Sequence, residues 1–248
     1  MVQLYLCMQI LLESLPISSS GHLHLLGFEA PWYIDFFAHG PTAVMLLIYF
    51  AGEWSPLLDA LTKSSRTVWR WAGILGAAEG ITALFFLLAR VMPQRPPLVV
   101  GFFCTALLLL SLKRVPLNSS SGRSVKWSDG LWLGMAQGVS LVVPGVSRLA
   151  VTYVIGRWLG FSARQAFRFS CALQVPLFGG AALLGLAGVI KTGQLGAILG
   201  GWGLPAMLAA SVGAYLLLWV VEMLMVRETL WYLGIYMIAP MVAALLWG

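Results

Sequence analysis

The stretch Glu13-Ser14-Leu15-Pro16-Ile17-Ser18-Ser19-Ser20-Gly21-His22 sets a carboxylate, a proline, three consecutive hydroxyls, a glycine and an imidazole between two apolar runs, residues 1–12 and 23–28. Proline supplies no backbone donor and clashes with the preceding turn, and glycine accepts dihedrals that other residues avoid, so the stretch predicts a break between two half-helices. Crossing about 30 Å of hydrocarbon takes about 20 residues at roughly 1.5 Å each, and neither flank is that long. The pair therefore reads as a re-entrant hairpin, which membrane depth tolerates only where protein or a water-filled cavity covers the broken backbone.

Outward from this break, the chain keeps the same solvent. Of its residues 60% are hydrophobic and 10% charged, and apolar runs recur from end to end, which excludes an ordinary soluble domain and indicates a polytopic membrane protein. The net charge of +6 comes from fifteen Lys and Arg scattered between the apolar runs, a pattern of membrane-surface loops and not of a nucleic-acid-binding patch. Full spans are expected near residues 34–52, 71–92, 98–112, 169–190, 195–221 and 230–247, the fifth tilted or broken at Gly203 or Pro205. The loops at 53–70 and 113–127 carry seven Lys or Arg, against two, Arg90 and Arg95, flanking the turn between them, so the positive-inside tendency makes both richer loops cytoplasmic. Cys7, Cys104 and Cys171 have no metal-ligand spacing and read as buried thiols. The N-terminus has no basic n-region and no small-residue cleavage site before the break, so a removable signal peptide is not expected.

A second break echoes the first. Gln9, Pro16 and Ser19 recur as Gln137, Pro144 and Ser147, each 128 positions later, and the second copy ends in Pro144-Gly145-Val146-Ser147-Arg148. Breaks at corresponding places in two halves are the mark of inverted-repeat membrane folds. The expected fold is thus an all-α polytopic membrane protein, one integral domain over residues 1–248. It has a first repeat at 1–115, a polar linker at 116–127, a second repeat at 128–248, a Pro-broken re-entrant hairpin in each repeat and about six full spans.

An ionisable group at membrane depth costs about 2.5–3.5 kcal/mol on insertion scales, so each needs a reason. Glu13 alone reads equally well as an interfacial cap and His22 as a structural imidazole; with Arg148, at two backbone breaks, they suggest an anion site. Arg148 offers a forked donor array for phosphate oxygens, and Ser18, Ser19, Ser20, Ser147 and the broken-helix N-termini add donors. The serines also have a plain reading as turn chemistry. His24 and His39 are lone imidazoles, His39 placed to line a cavity. Gly76-x3-Gly80, Gly134-x3-Gly138 and Gly196-x3-Gly200 predict close helix contacts. Glu79, well inside a span, is a functional candidate by default.

Glu13 to His22, Asp35-Phe-Phe-Ala-His39, Gly134-x2-Gln137 leading to Pro144-Gly-Val-Ser-Arg148, Gly160-Phe-Ser-Ala-Arg164-Gln-Ala166, Phe169-Ser170 and Pro176, in this order, resemble the undecaprenyl-diphosphate phosphatase family. The resemblance implies an integral membrane enzyme with inverted repeats and two re-entrant hairpins. Such an enzyme removes the terminal phosphate of a C55 polyprenyl diphosphate at the outer face of the bacterial cytoplasmic membrane, with a divalent cation, Mg²⁺ or Ca²⁺, regenerating the lipid carrier for cell-wall precursors. Its partners are the polyprenyl diphosphate and the bilayer, with no nucleic acid, and a homodimer is admitted. By matching positions the resemblance implies Glu13, Ser19, His22 and Arg148 as catalytic residues. Arg148, Ser18, Ser20, Ser147 and Gly145 would bind substrate, and Glu13 with Gln9 the cation. Either His22 attacks phosphorus or it serves as base for Ser19 or for water; the adjacent groups permit both.

The chain departs from the family pattern at three places. Gln9 stands where the family has its first carboxylate, one turn before Glu13, which weakens metal binding. Leu149-Ala150 replaces Ser-Gly after the key arginine. Glu79 stands where relatives tend to have proline, and is expected to restore part of the lost negative charge. The alternative from another class is a polyprenyl-phosphate carrier on the same fold, with reduced or no hydrolysis. A membrane serine protease fits less well, because it gives Arg148 no role.

Overall fold

Pro16 ends one helix and Ser19 begins the next in the computed structural model, which describes residues 1–52, 66–115 and 124–247 and is all-helical over them. The half-helices are α1 (Val2–Glu13) and α2 (Ser19–Leu25). They are followed by α3 (Trp32–Tyr49), α4 (Arg66–Val91) and α5 (Leu98–Ser111). The second break separates α6 (Trp127–Val142) from α7 (Arg148–Trp158), and α8 (Ala163–Lys191) follows. The chain closes with α9 (Leu195–Leu199), α10 (Gly203–Val226), α11 (Tyr232–Tyr236) and α12 (Ile238–Trp247). The basic loops used to orient the chain, and the polar linker, fall largely on residues 53–65 and 116–123, outside the described residues.

Among the described residues three helices, α4 from Val68, α8 and α10, are long and apolar enough to cross a membrane. They turn large apolar side chains outward, Leu84, Leu183, Leu208 and Leu216 among them, as a lipid-facing surface does. The expected break in residues 195–221 falls at 200–202, between α9 and α10. Residues 230–247, expected as one span, hold the apolar helical run Tyr232–Trp247, interrupted by a single turn at Met237. The reason is Pro240, whose ring opposes the carbonyl of Tyr236 and which has no N–H to give it. Helix α8 starts at Ala163, ahead of the expected 169, because Ser162 and Gln165 cap it reciprocally.

Two tight crossings fix the bundle. In the first, α3 lies along α8, where a Cβ on Gly185 would meet the Phe37 nitrogen at 2.2 Å. In the second, α4 crosses α6, and a Cβ on Gly134 would meet the Ala78 carbonyl oxygen at 2.6 Å, so the predicted Gly134-x3-Gly138 contact is present. The other two glycine pairs are not helix contacts: Gly76, Gly80 and Gly196 face open space, and Gly200 meets only its own turn. Between the crossings, α1, α2 and α7 bring the two breaks together.

Candidate active site

Helix α1 delivers Gln9 and Glu13 one turn apart on one face, both buried. The chain then turns through Pro16 and enters α2 at Ser18, a non-glycine residue held at φ 66°. That left-handed residue is uncommon and needs support. His22 supplies it, its Nδ1 lying 2.8 Å from the Ser18 carbonyl oxygen. A carbonyl only accepts, so Nδ1 carries the proton; in the neutral ring Nε2 then accepts from the Tyr236 hydroxyl, 3.1 Å away. The His22 ring stacks on Tyr236 and meets the edge of Phe102.

The turn at Ser18 swings Ser19 back over α1. Its hydroxyl donates to Glu13 Oε2 at 2.5 Å, and the Gln9 amide donates to the same oxygen at 2.8 Å and to Ser19 Oγ at 3.0 Å. The other carboxylate oxygen, Oε1, takes Arg148 at 2.7 Å from 135 residues away. Arg148 is the first residue of α7, and its position depends on the turn before it. Gly145 at φ 90° makes that turn, packed so closely on α5 that a Cβ on Gly101 would meet the Pro144 carbonyl oxygen at 1.8 Å. Thr105 of α5 clamps both ends, donating to the Gly145 carbonyl at 3.0 Å and accepting from the Ser147 amide at 3.1 Å. The Ser147 hydroxyl caps α7 by accepting from the Ala150 amide.

Gln9, Glu13, Ser18, Ser19, Ser20, Ser147 and Arg148 all border one cavity of about 790 Å³, with an apolar wall from Phe36, Phe86, Leu177 and Leu184. Two predicted residues do not border it: His22, whose ring nitrogens are both engaged elsewhere, and Gly145, which shapes the turn. His24 and His39 do border it. Asp35 joins them, bound by the Tyr5 hydroxyl at 2.6 Å. Sequence reasoning missed the roles of Thr105, Tyr5 and Phe178, an apolar-span threonine, tyrosine and phenylalanine with no local signal. Glu79 borders the same cavity, but its partner is Gln137, which donates to its two oxygens at 3.2 and 3.3 Å. It does not touch the Gln9–Glu13 group.

Gln9 and Glu13, the residues expected to hold a divalent cation, are engaged with protein groups. Gln9 turns its amide nitrogen, not its oxygen, to Glu13, whose charge the Arg148 guanidinium already neutralises. Gln9 Oε1 is unpartnered, and a cation bound here would draw its remaining oxygens from water and substrate phosphates. Among the described residues no three His, Cys, Asp or Glu side chains converge on a metal position. The arrangement instead provides a hydroxyl with a base, a fixed cation, and an apolar wall beside them.

The chain is similar to known proteins over most of its length. The family model described as "Bacitracin resistance protein BacA" matches residues 7–243. A Geobacter metallireducens protein named undecaprenyl-diphosphatase is 32% identical over 245 residues, covering 90% of each chain. A Nitrosococcus oceani protein of the same name is 31% identical over 78% of this chain and 82% of its own. An "Undecaprenyl-diphosphatase 2" of Stutzerimonas stutzeri is 32% identical over 84% and 83%.

Proposed function

The chain belongs to the bacitracin resistance protein BacA family, and from that premise we propose that it is a membrane phosphatase hydrolysing a C55 polyprenyl diphosphate to the monophosphate and phosphate. The observation that carries the reading is Ser19 Oγ, 2.5 Å from Glu13 Oε2, with Arg148 on the other oxygen of the same carboxylate. Glu13 takes the Ser19 proton as Oγ attacks the terminal phosphorus. The Oγ–P bond forms, the bridging P–O bond breaks, and the lipid monophosphate leaves with the electron pair. Glu13 passes the Ser19 proton to that departing monophosphate and is a base again; water then attacks the phosphoserine, giving one proton to Glu13, which returns it to Oγ as the Oγ–P bond breaks. Arg148 leans toward the phosphoryl group and stabilises the charge spread over its oxygens. His22 is a positioning residue in this scheme, holding the Ser18 turn.

The proposed setting is the bacterial inner membrane, with the two breaks as re-entrant hairpins of inverted repeats, about six spans, and the cavity open to the outer face. Hydrolysis there would return the lipid carrier to cell-wall synthesis. One copy contains every group the scheme uses. The test is phosphate release from C55 diphosphate by the purified protein in detergent, beside Ser19→Ala and Arg148→Ala. Release abolished in both variants supports the reading. No release from the native chain, together with movement of the monophosphate across vesicles, would replace it with the carrier alternative.

A further inference from the structure

His39 stands in the site with a polar edge that the protein does not satisfy. It is 4% exposed, borders the cavity from α3, and lies flat on Phe178 of α8, with ring centroids 4.8 Å apart and planes 5° from parallel. Phe178 is the ring over which the Arg148 guanidinium is also held, at 4.7 Å. The imidazole is therefore fixed on the same platform as the phosphate-binding arginine.

Its nitrogens are distinguishable. Nδ1 is closed off from solvent and faces Glu13 Oε2 at 3.9 Å, too far for a hydrogen bond. At that separation Nδ1 makes no bond in either tautomer, and the tautomer protonated on Nε2 is the one that offers a donor at the cavity. Nε2–H makes no hydrogen bond to the described residues and, unlike Nδ1, is not closed off, so it is the ring nitrogen open to the cavity. We propose that His39 Nε2–H is a ligand of the phosphoryl oxygens of a lipid phosphate or diphosphate, acting beside Arg148. The donor is neutral and so adds direction to the charge that arginine supplies. This rests on the phosphatase reading for its substrate, though phosphate binding alone also reveals it.

The experiment compares native protein with His39→Gln, which keeps an N–H donor, and His39→Leu, which does not. Two readouts are taken: kinetics on C55 diphosphate, and the shift of thermal unfolding in detergent produced by orthovanadate, a phosphoryl mimic. His39→Leu is expected to lower kcat/KM about 100-fold, the order of losing one oxyanion donor, and to lose the vanadate shift; His39→Gln is expected to recover most of both. Native behaviour of His39→Leu in both readouts overturns the proposal, and so does equal loss in the two variants, which would make the role purely structural. If the native chain hydrolyses nothing yet its vanadate shift depends on the donor at 39, the phosphatase reading fails and the ligand assignment stands.

Discussion

Glu13 divides its contacts between its two oxygens, one facing the Ser19 hydroxyl and the other the Arg148 guanidinium. Removing the hydroxyl in Ser19→Ala is expected to reduce phosphate release by roughly 10³-fold or more while lipid monophosphate still binds, since Arg148 is untouched; a kcat and binding measurement on one preparation checks this. Removing the carboxylate is a different injury. Glu13→Ala leaves Arg148 as an uncompensated, largely buried charge and is expected to cost about 3–5 kcal/mol of stability, read as a lower unfolding temperature. Gln9 gives the metal prediction. Its N–H occupies the oxygen that a cation would need, so the native chain is expected to release phosphate in excess EDTA, whereas Gln9→Glu should become dependent on added Mg²⁺ or Ca²⁺. Loss of native activity on chelation, restored by either ion, would place a cation in the cavity after all.

Each functional side chain reaches the cavity because an element ends where it does. Thr105, inside α5, holds the turn that begins α7, and Thr105→Val would leave the Gly145 carbonyl and the Ser147 amide without their partner. A stability loss of about 1–3 kcal/mol and a raised KM are expected, with recovery in Thr105→Ser. The α4–α6 crossing makes a second prediction. Gly134→Val must push against the Ala78 backbone and is expected to destabilise by about 1–3 kcal/mol, while Gly76→Val, with open space around it, is expected to leave the unfolding temperature near native. The α3–α10 contact is tied by the Tyr49 hydroxyl donating to Glu222, which holds α3, and with it His39, against the rest of the bundle.

At the scale of the molecule, the site belongs to neither half. Glu13 and Ser19 lie within residues 1–115 and Arg148 within 116–248, so either fragment expressed alone is expected to release no phosphate; activity from either fragment would show that the other's contribution is dispensable. The breaks at Pro16 and Pro144, the membrane solvent and the pairing of Glu13, Ser19 and Arg148 as candidates were legible in the sequence. Proline and glycine act through the backbone of their own segment, and a charge in an apolar run stands out wherever the run folds. Hydropathy reads residues 230–247 as one uninterrupted run and passes over the single turn at Met237 ahead of Pro240. Sequence reasoning also grouped His22 and Gly145 with the site residues; neither borders the cavity, because the His22 ring turns to Ser18 and Tyr236 and Gly145 has no side chain to offer. Tertiary structure alone decided that His22 would spend its nitrogens on Ser18 and Tyr236, that Glu79 would meet Gln137, and that His39 would come to lie beside Glu13. Those outcomes depend on how helices far apart in the chain cross, and that is set by close packing across the whole bundle, not by any one stretch of it.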